Sequence, residues 1–341
     1  MLHMILACSP FRCFVVLLTV ILAGCGDGGD SSASSSTPDA ESVKISLEAA
    51  EQYLLGGDLV EAEAIARSVV TVMPDSLDGQ ELLGRTLVAR AILARDSGQP
   101  EAARVLWNEA SGRYEQVVRL SPRSSGLHQS AGEVAQMAGR NGLAIELYHR
   151  AGDLEPDDPK PGLYLAQLLL AEGQLDEARG AIDRVLALVP EQGHALATLA
   201  VIDMQQSLWE DAKRHITMAV DSQPDDLGIR TMQTRIFRRS GDPERGLELL
   251  LGLPDSARIT EPVAEEIAAC WMDLNRPEQA AEAWERCHGG SGQRAGFVAM
   301  KAAEAWIEAG RSIEAAGWIE RAELAGVSSD RLDSLRNRLG D

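Results

Sequence analysis

Pro122, Pro156, Pro190 and Pro224 recur at intervals of 34 residues. Ala144, Ala178, Ala212, Gly246 and Ala280 recur at the same interval, and Ala315 follows at 35. A fixed period of this length means that copies of one supersecondary unit are stacked, so the unit decides the fold. The copies share a phrase, seen as GDLVEAEA at 57–64, GQLDEARG at 173–180 and GRSIEAAG at 310–317. Glycine supplies the positive φ that ends a first helix, and a polar residue or proline then opens a second. The recurring alanine or glycine lets the two backbones approach, and the closing proline stops the second helix from running on. The unit is therefore an antiparallel helix pair and the chain is all-α. Aromatic residues make up only 4% of the sequence, which leaves few of the runs that strands prefer.

This pattern resembles the tetratricopeptide repeat (TPR) family over residues 43–328, in about eight copies. The resemblance implies a right-handed superhelical solenoid of antiparallel helix pairs. The best copies are 125–158, with Ala131, Gly132, Gly139, Ala144, Tyr148, Ala151 and Pro156, then 159–192 and 193–226; 43–76 also fits well. From Pro74 to Pro122 the interval is 48 residues, and the excess divides as seven residues in each helix. Seven residues is close to two turns, so repeat 77–124 keeps its faces in phase and is expected to protrude about 10 Å beyond its neighbours. Repeats 227–258, 261–292 and 296–328 are degenerate, lacking the closing proline at its usual place. Residues 329–341 read as a terminal capping helix with a charged face toward water.

Upstream of the repeats the sequence carries an address. Arg12 precedes the apolar stretch from Cys13 to Ala23, which has the length and flank of a secretory signal and is too short to span a bilayer. Leu22, Ala23, Gly24 and Cys25 resemble the bacterial lipobox, which implies a signal peptide over 1–24, cleavage before Cys25 and covalent lipid on its sulfur. With Gly26 rather than Asp after the cysteine, the resemblance implies the outer membrane, facing the periplasm, if the organism has two membranes. Residues 25–42 are small, polar and acidic, and are expected to form the lipidated end and a flexible tether reaching some 20–25 Å.

Chemistry is scarce. With 32 Lys plus Arg against 52 Asp plus Glu, the net charge of −20 is the wrong sign for a nucleic-acid surface. No phosphate-binding loop, nucleophile elbow, zinc motif or paired C-x-x-C is present. His128, His149, His194, His215 and His288 are scattered over different repeats and read as surface or cap residues. No catalytic residue, metal site, cofactor or small-molecule substrate is expected beyond the lipid at Cys25. Cys270 and Cys287 fall on opposite arms of one hairpin with an axial offset of roughly 7.5 Å, which favours two buried thiols over a disulfide.

What the TPR resemblance implies is a groove. Carried over by repeat position, its concave face takes Lys160, Leu163, Gln167, Leu170 and Ala171 from one repeat, and His194, Ala197, Val201, Met204 and Gln205 from the next. Thr231, Arg235, Arg238 and Arg239 follow. Leu163, Leu170, Val201 and Met204 would form an apolar floor, and the three arginines a positive end. The Lys and Asn set that clamps C-terminal carboxylates in chaperone-binding members is absent. The function expected is that of a non-catalytic, membrane-anchored protein-interaction scaffold binding a protein or peptide; the alternative is the recognition subunit of an envelope enzyme or of a pilus or outer-membrane assembly machine. The anchoring expectation is checked directly: Cys25→Ala should abolish incorporation of labelled fatty acid and move the chain from the detergent phase to the aqueous phase.

Overall fold

The computed structural model describes residues 40–287 and 293–340. The expected signal peptide, Cys25 and the tether as far as residue 39 lie outside the described residues. Helix is already present at Ala40, so residues 40–42, expected as the end of the tether, are helical. Among the described residues the structure is helical with no strand, and no helix is long and apolar enough to cross a membrane.

The chain divides into two compact units at Pro156 and Asp157. The first holds α1 (Ala40–Gly56), α2 (Leu59–Val72), α3 (Leu77–Asp96), α4 (Pro100–Leu120), α5 (Ser125–Met137) and α6 (Asn141–Leu154). The second opens with α7 (Pro159–Ala171), α8 (Leu175–Leu188), α9 (Gly193–Gln205), α10 (Trp209–Ser222), α11 (Leu227–Arg239) and α12 (Pro243–Leu251). It continues with α13 (Asp255–Arg258), α14 (Glu261–Asp273), α15 (Pro277–Arg286), α16 (Gln293–Glu308), α17 (Ser312–Leu324) and α18 (Ser329–Gly340). Within each unit, consecutive long helices pair antiparallel, and each second helix also packs on the first helix of the next repeat.

The turn inside each pair follows from backbone sterics. Gly57, Gly98, Gly139, Gly173, Gly241 and Gly310 all adopt positive φ, and Ser207 and Asn275 take the same conformation in the two repeats without a glycine there. In every pair the next amide reaches back five residues to the first helix, as in Arg140 N to Ala135 O at 2.8 Å and Arg276 N to Trp271 O at 2.8 Å. This is the six-to-one bond of a Schellman cap, which satisfies a carbonyl left orphaned at the helix end. Several first helices are capped in turn by side chains: Asp158 Oδ1 accepts from Lys160 N at 3.0 Å and Asp226 Oδ1 from Ile229 N at 2.9 Å.

The periodic small residue sits where the helices of a pair meet. Ala62, Ala144, Ala178, Ala212, Ala280 and Ala315 have no exposed surface. A side chain at Gly246 would meet the Thr234 carbonyl oxygen at 3.0 Å. α3 and α4 run to 20 and 21 residues against 13 and 14 in the pair that follows, so both arms of this hairpin are seven residues longer. At the far end α18 buries Leu332 and Leu335 against Ala299, Ala303, Ile319 and Ala322.

A Cβ built on Gly132 would lie 2.7 Å from the ring of Tyr148, itself fully buried. Gly132→Ala should therefore cost about 1–3 kcal/mol through overpacking. Gly112, inside α4, has nothing near its missing Cβ, and Gly112→Ala should stabilise by about 0.5–1 kcal/mol through reduced backbone entropy. Urea unfolding of the two variants should give opposite signs.

Candidate protein-interaction face

In the second unit the first helices α7, α9, α11 and α14 pack side by side, α7 on α9, α9 on α11 and α11 on α14. This row carries every candidate groove residue from Lys160 to Arg239. Lys160, Gln167, Ala171, His194, Gln205 and Arg239 are exposed, while Leu170, Ala197, Val201, Arg235 and Arg238 are half-buried. His194 Nε2 lies 3.8 Å from Asp226 Oδ2 across the α9–α11 seam.

Two of the four expected floor residues belong to the interior. Met204 is buried with Leu196, Ala200, Ala212, Ile216, Ile229 and Ile236, and Leu163 is buried as well. The cause is helical spacing: Met204 lies four and eight residues from Ala200 and Leu196, hence on the same core stripe, and Leu163 lies three from the buried Ala166. Thr231 is also interior, its hydroxyl donating to Gly228 O at 2.8 Å. The apolar strip that reaches the surface is Leu170, Ala197 and Val201.

The expected positive end is largely neutralised. Glu266 on α14, 2% exposed, accepts from Arg235 Nε at 2.6 Å, and its second oxygen lies 3.5 Å from Arg238 Nε. Arg238 Nη1 donates to Asp273 Oδ2 at 3.0 Å. Burial opposes the charge on Arg238, but the bond to Asp273 and the field of Glu266 outweigh it and hold the guanidinium above its ordinary pKa. These pairs fix α11 against α14, and Arg239 is the arginine of the three left facing solvent.

A second ionic seam was not legible in the sequence. Asp203, 1% exposed, accepts from Arg179 Nη2 at 2.5 Å on one oxygen, and its other oxygen lies 2.6 Å from His215 Nδ1. It thereby ties α8, α9 and α10 together, and His215 is part of this seam rather than an ordinary surface residue. His128 is interior at its helix cap, with Nδ1 2.8 Å from Ser124 O. The first unit has a counterpart of the groove: Lys44, Leu47, Glu51, Asp78, Glu81 and Arg85 line a cavity of about 370 Å³ between α1 and α3. Arg85 and Glu51, 34 residues apart, form a two-bonded pair there at 2.9 and 3.1 Å. Carrying the repeat register back to residues 43–85 would have found these positions.

Among the described residues no group of three or more His, Cys, Asp or Glu side chains is arranged to hold a metal ion. Cys270 and Cys287 are free, buried thiols. Burial pushes the Cys270 thiol up to about 12, and it also raises Cys287.

Stacked helix pairs joined by positive-φ turns, with a row of first helices on one face, define a helical-repeat fold of the TPR type. The family model described as tetratricopeptide repeat matches residues 135–192. A tetratricopeptide repeat protein from Parabacteroides merdae ATCC 43184 has a similar fold, with TM-score 0.50 and 14% identity, covering 76% of this chain and 99% of that one. A chain of the APC/C Cut9–Hcn1 hetero-tetramer also matches at TM-score 0.50 and 11% identity, covering 91% of this chain and 57% of that one. In sequence, the chain is 29% identical over 141 residues to cellulose synthase operon protein C of Pseudomonas fluorescens (strain SBW25). That match covers 36% of this chain and spans only 11% of the relative's length.

The thiols give a chemical check. At pH 8 a thiol reagent should leave Cys270 and Cys287 of the native chain unmodified and label them once it is unfolded. Because Cys270 has its pKa raised on folding, its contribution is fully present below the unfolded value near 9 and is lost as pH rises toward about 12. Denaturant midpoints should therefore hold through neutral pH and fall above about pH 9. A Cys270→Ala variant should lose part of that alkaline slope.

Proposed function

We propose that this chain is a lipid-anchored, non-catalytic scaffold of the bacterial cell envelope that holds a protein or peptide segment along the first-helix face between Lys160 and Arg239. The carrying observation is the strip of Leu170, Ala197 and Val201. These are half-buried apolar residues on adjacent first helices, bordered by exposed Lys160, Gln167, His194, Gln205 and Arg239. A partner segment gains affinity by covering the strip, while the polar border sets its register. Arg239 is the one of the three arginines that faces solvent, and an acidic group on the partner beside it gains orientation and association rate more than affinity. The match of residues 135–192 to a family that works by binding supports a scaffold over an enzyme. The lipobox resemblance at Leu22 to Cys25 supports the anchor, and likeness to a cellulose synthase operon protein supports an envelope setting. That name also favours, as a second reading, a recognition subunit serving an envelope enzyme or assembly machine.

The test is a pull-down from detergent-solubilised envelope with the intact chain and a Leu170→Asp, Val201→Asp variant. The variant should stay folded, with a lowered melting midpoint because Val201 packs on the core, and lose the partner by about tenfold or more, since charge replaces two apolar contacts. Arg239→Glu should slow association at low salt and little at high salt. Undiminished recovery by the folded double variant would refute this face as the binding site.

A further inference from the structure

The first unit carries an ionic ladder along two second helices. On α2, Glu63 and Arg67 stand one turn apart, and on α4 the same spacing puts Glu109, Arg113 and Gln116 on one stripe. Arg67 takes both oxygens of Glu109, at 2.6 and 2.8 Å, and Glu63 is shared between Arg67 and Arg90. Three guanidinium groups therefore meet two carboxylates. The charge left over falls on Arg113. Its Nη2 lies 4.0 Å from Glu109 Oε1, its Nη1 lies 3.5 Å from Gln80 Oε1, and its Nε is buried without a hydrogen-bond partner.

The following repeats place no cation here. Counted back from the closing prolines Pro122, Pro156 and Pro190, the equivalents of Arg113 are Leu147 and Ala181, 34 and 68 residues further on, and both are buried. The neighbouring position keeps the register, since Tyr114, Tyr148 and Ile182 are all buried there. Arg113 thus puts a half-buried charge at an apolar place in the repeat, and the side chains around it supply no close counter-ion.

Arg113 lines a cavity of about 400 Å³ enclosed by α2, the start of α3 and α4, within the span of small-ligand pockets, about 300–1,000 Å³. Gln80, 3% exposed, is fixed in its wall by donation from Nε2 to Pro74 O at 2.7 Å, which turns its oxygen toward Arg113. Val70, Pro74 and Gln116 line it as well, and Asp75 is its exposed acid. We propose that this cavity binds a small molecule of the amino-acid class, with its carboxylate on Arg113, its ammonium toward Asp75 and an aliphatic side chain against Val70 and Pro74. One carboxylate supplies the single negative charge that the ladder lacks, and its two oxygens suit the planar guanidinium fork. A phosphate dianion would bring a second negative charge beside Asp75. The site lies on second helices and does not depend on the first-helix face binding anything.

The test is isothermal titration calorimetry of the full chain with L-leucine as the probe, which should give saturable binding. Isocaproate, which lacks the ammonium, and isoamylamine, which lacks the carboxylate, should each bind at least about tenfold more weakly, as should inorganic phosphate. Arg113→Leu installs the residue that the next repeat carries at this position. It should therefore melt no lower than the wild type and still lose leucine binding by about tenfold or more. Asp75→Asn, at an exposed site, should weaken leucine but leave isocaproate unchanged, a split that a merely structural role would not produce. Leu170→Asp, which tests the other face, should leave leucine binding intact. Absence of leucine binding to the wild type, equal binding by the folded Arg113→Leu chain, or tighter binding of phosphate than of leucine would overturn the proposal. So would loss of an envelope protein from the Arg113→Leu chain without any response to leucine, because an acidic side chain of that partner would then be the occupant.

Discussion

Everything in this molecule depends on how closely two antiparallel helices can approach within one repeat. The limit is set by a single side chain per second helix: alanine at 144, 178, 212, 280 and 315, each without exposed surface, and glycine at 246 beside the Thr234 carbonyl. A larger residue there would lever the pair apart and tilt the surface on which the next repeat must sit. Because each repeat packs mainly on its neighbours, the 34-residue spacing is a mechanical condition rather than a mere trace of duplication.

The same logic explains why so much of the fold was legible. The positive-φ turn, the small residue and the closing proline are local requirements, and each leaves a mark at a fixed place in the chain. Where the mark changes, the structure keeps the conformation and finds another residue: Ser207 and Asn275 adopt the turn that glycine adopts elsewhere. The helices of repeat 77–124 were readable for a related reason, since an insertion of two turns preserves which face is apolar.

Side-chain roles were harder to read because periodicity assigns a face and cannot assign depth. Leu163 and Met204 occupy the same nominal positions as residues that reach solvent, yet the stripe they share with Ala166 and with Ala200 draws them inward. Ionic partners were illegible for a different reason. With 52 acidic residues any arginine has several candidate carboxylates within a repeat length, and only packing selects among them. Glu266 and Asp203 are selected because each lies under a neighbouring helix, where an unpaired carboxylate would be costly. Two of the arginines that looked like a ligand-binding end, Arg235 and Arg238, are the counter-ions this burial demands.

Buried charge of this kind also explains how the degenerate repeats tolerate their irregularity. Glu266 lies on α14, which follows the truncated α12 and the single turn of α13, and its bonds to Arg235 and its approach to Arg238 tie α14 to α11, bypassing the second helix between them. In the regular repeats that second helix carries apolar cover as far as Leu186 or Val220. Here the tie between first helices maintains the stack while the second helix stops early. A repeat tied through its first helices tolerates a shortened second helix, and here Trp271 lines a cavity bounded by α12, α13, α14 and α15.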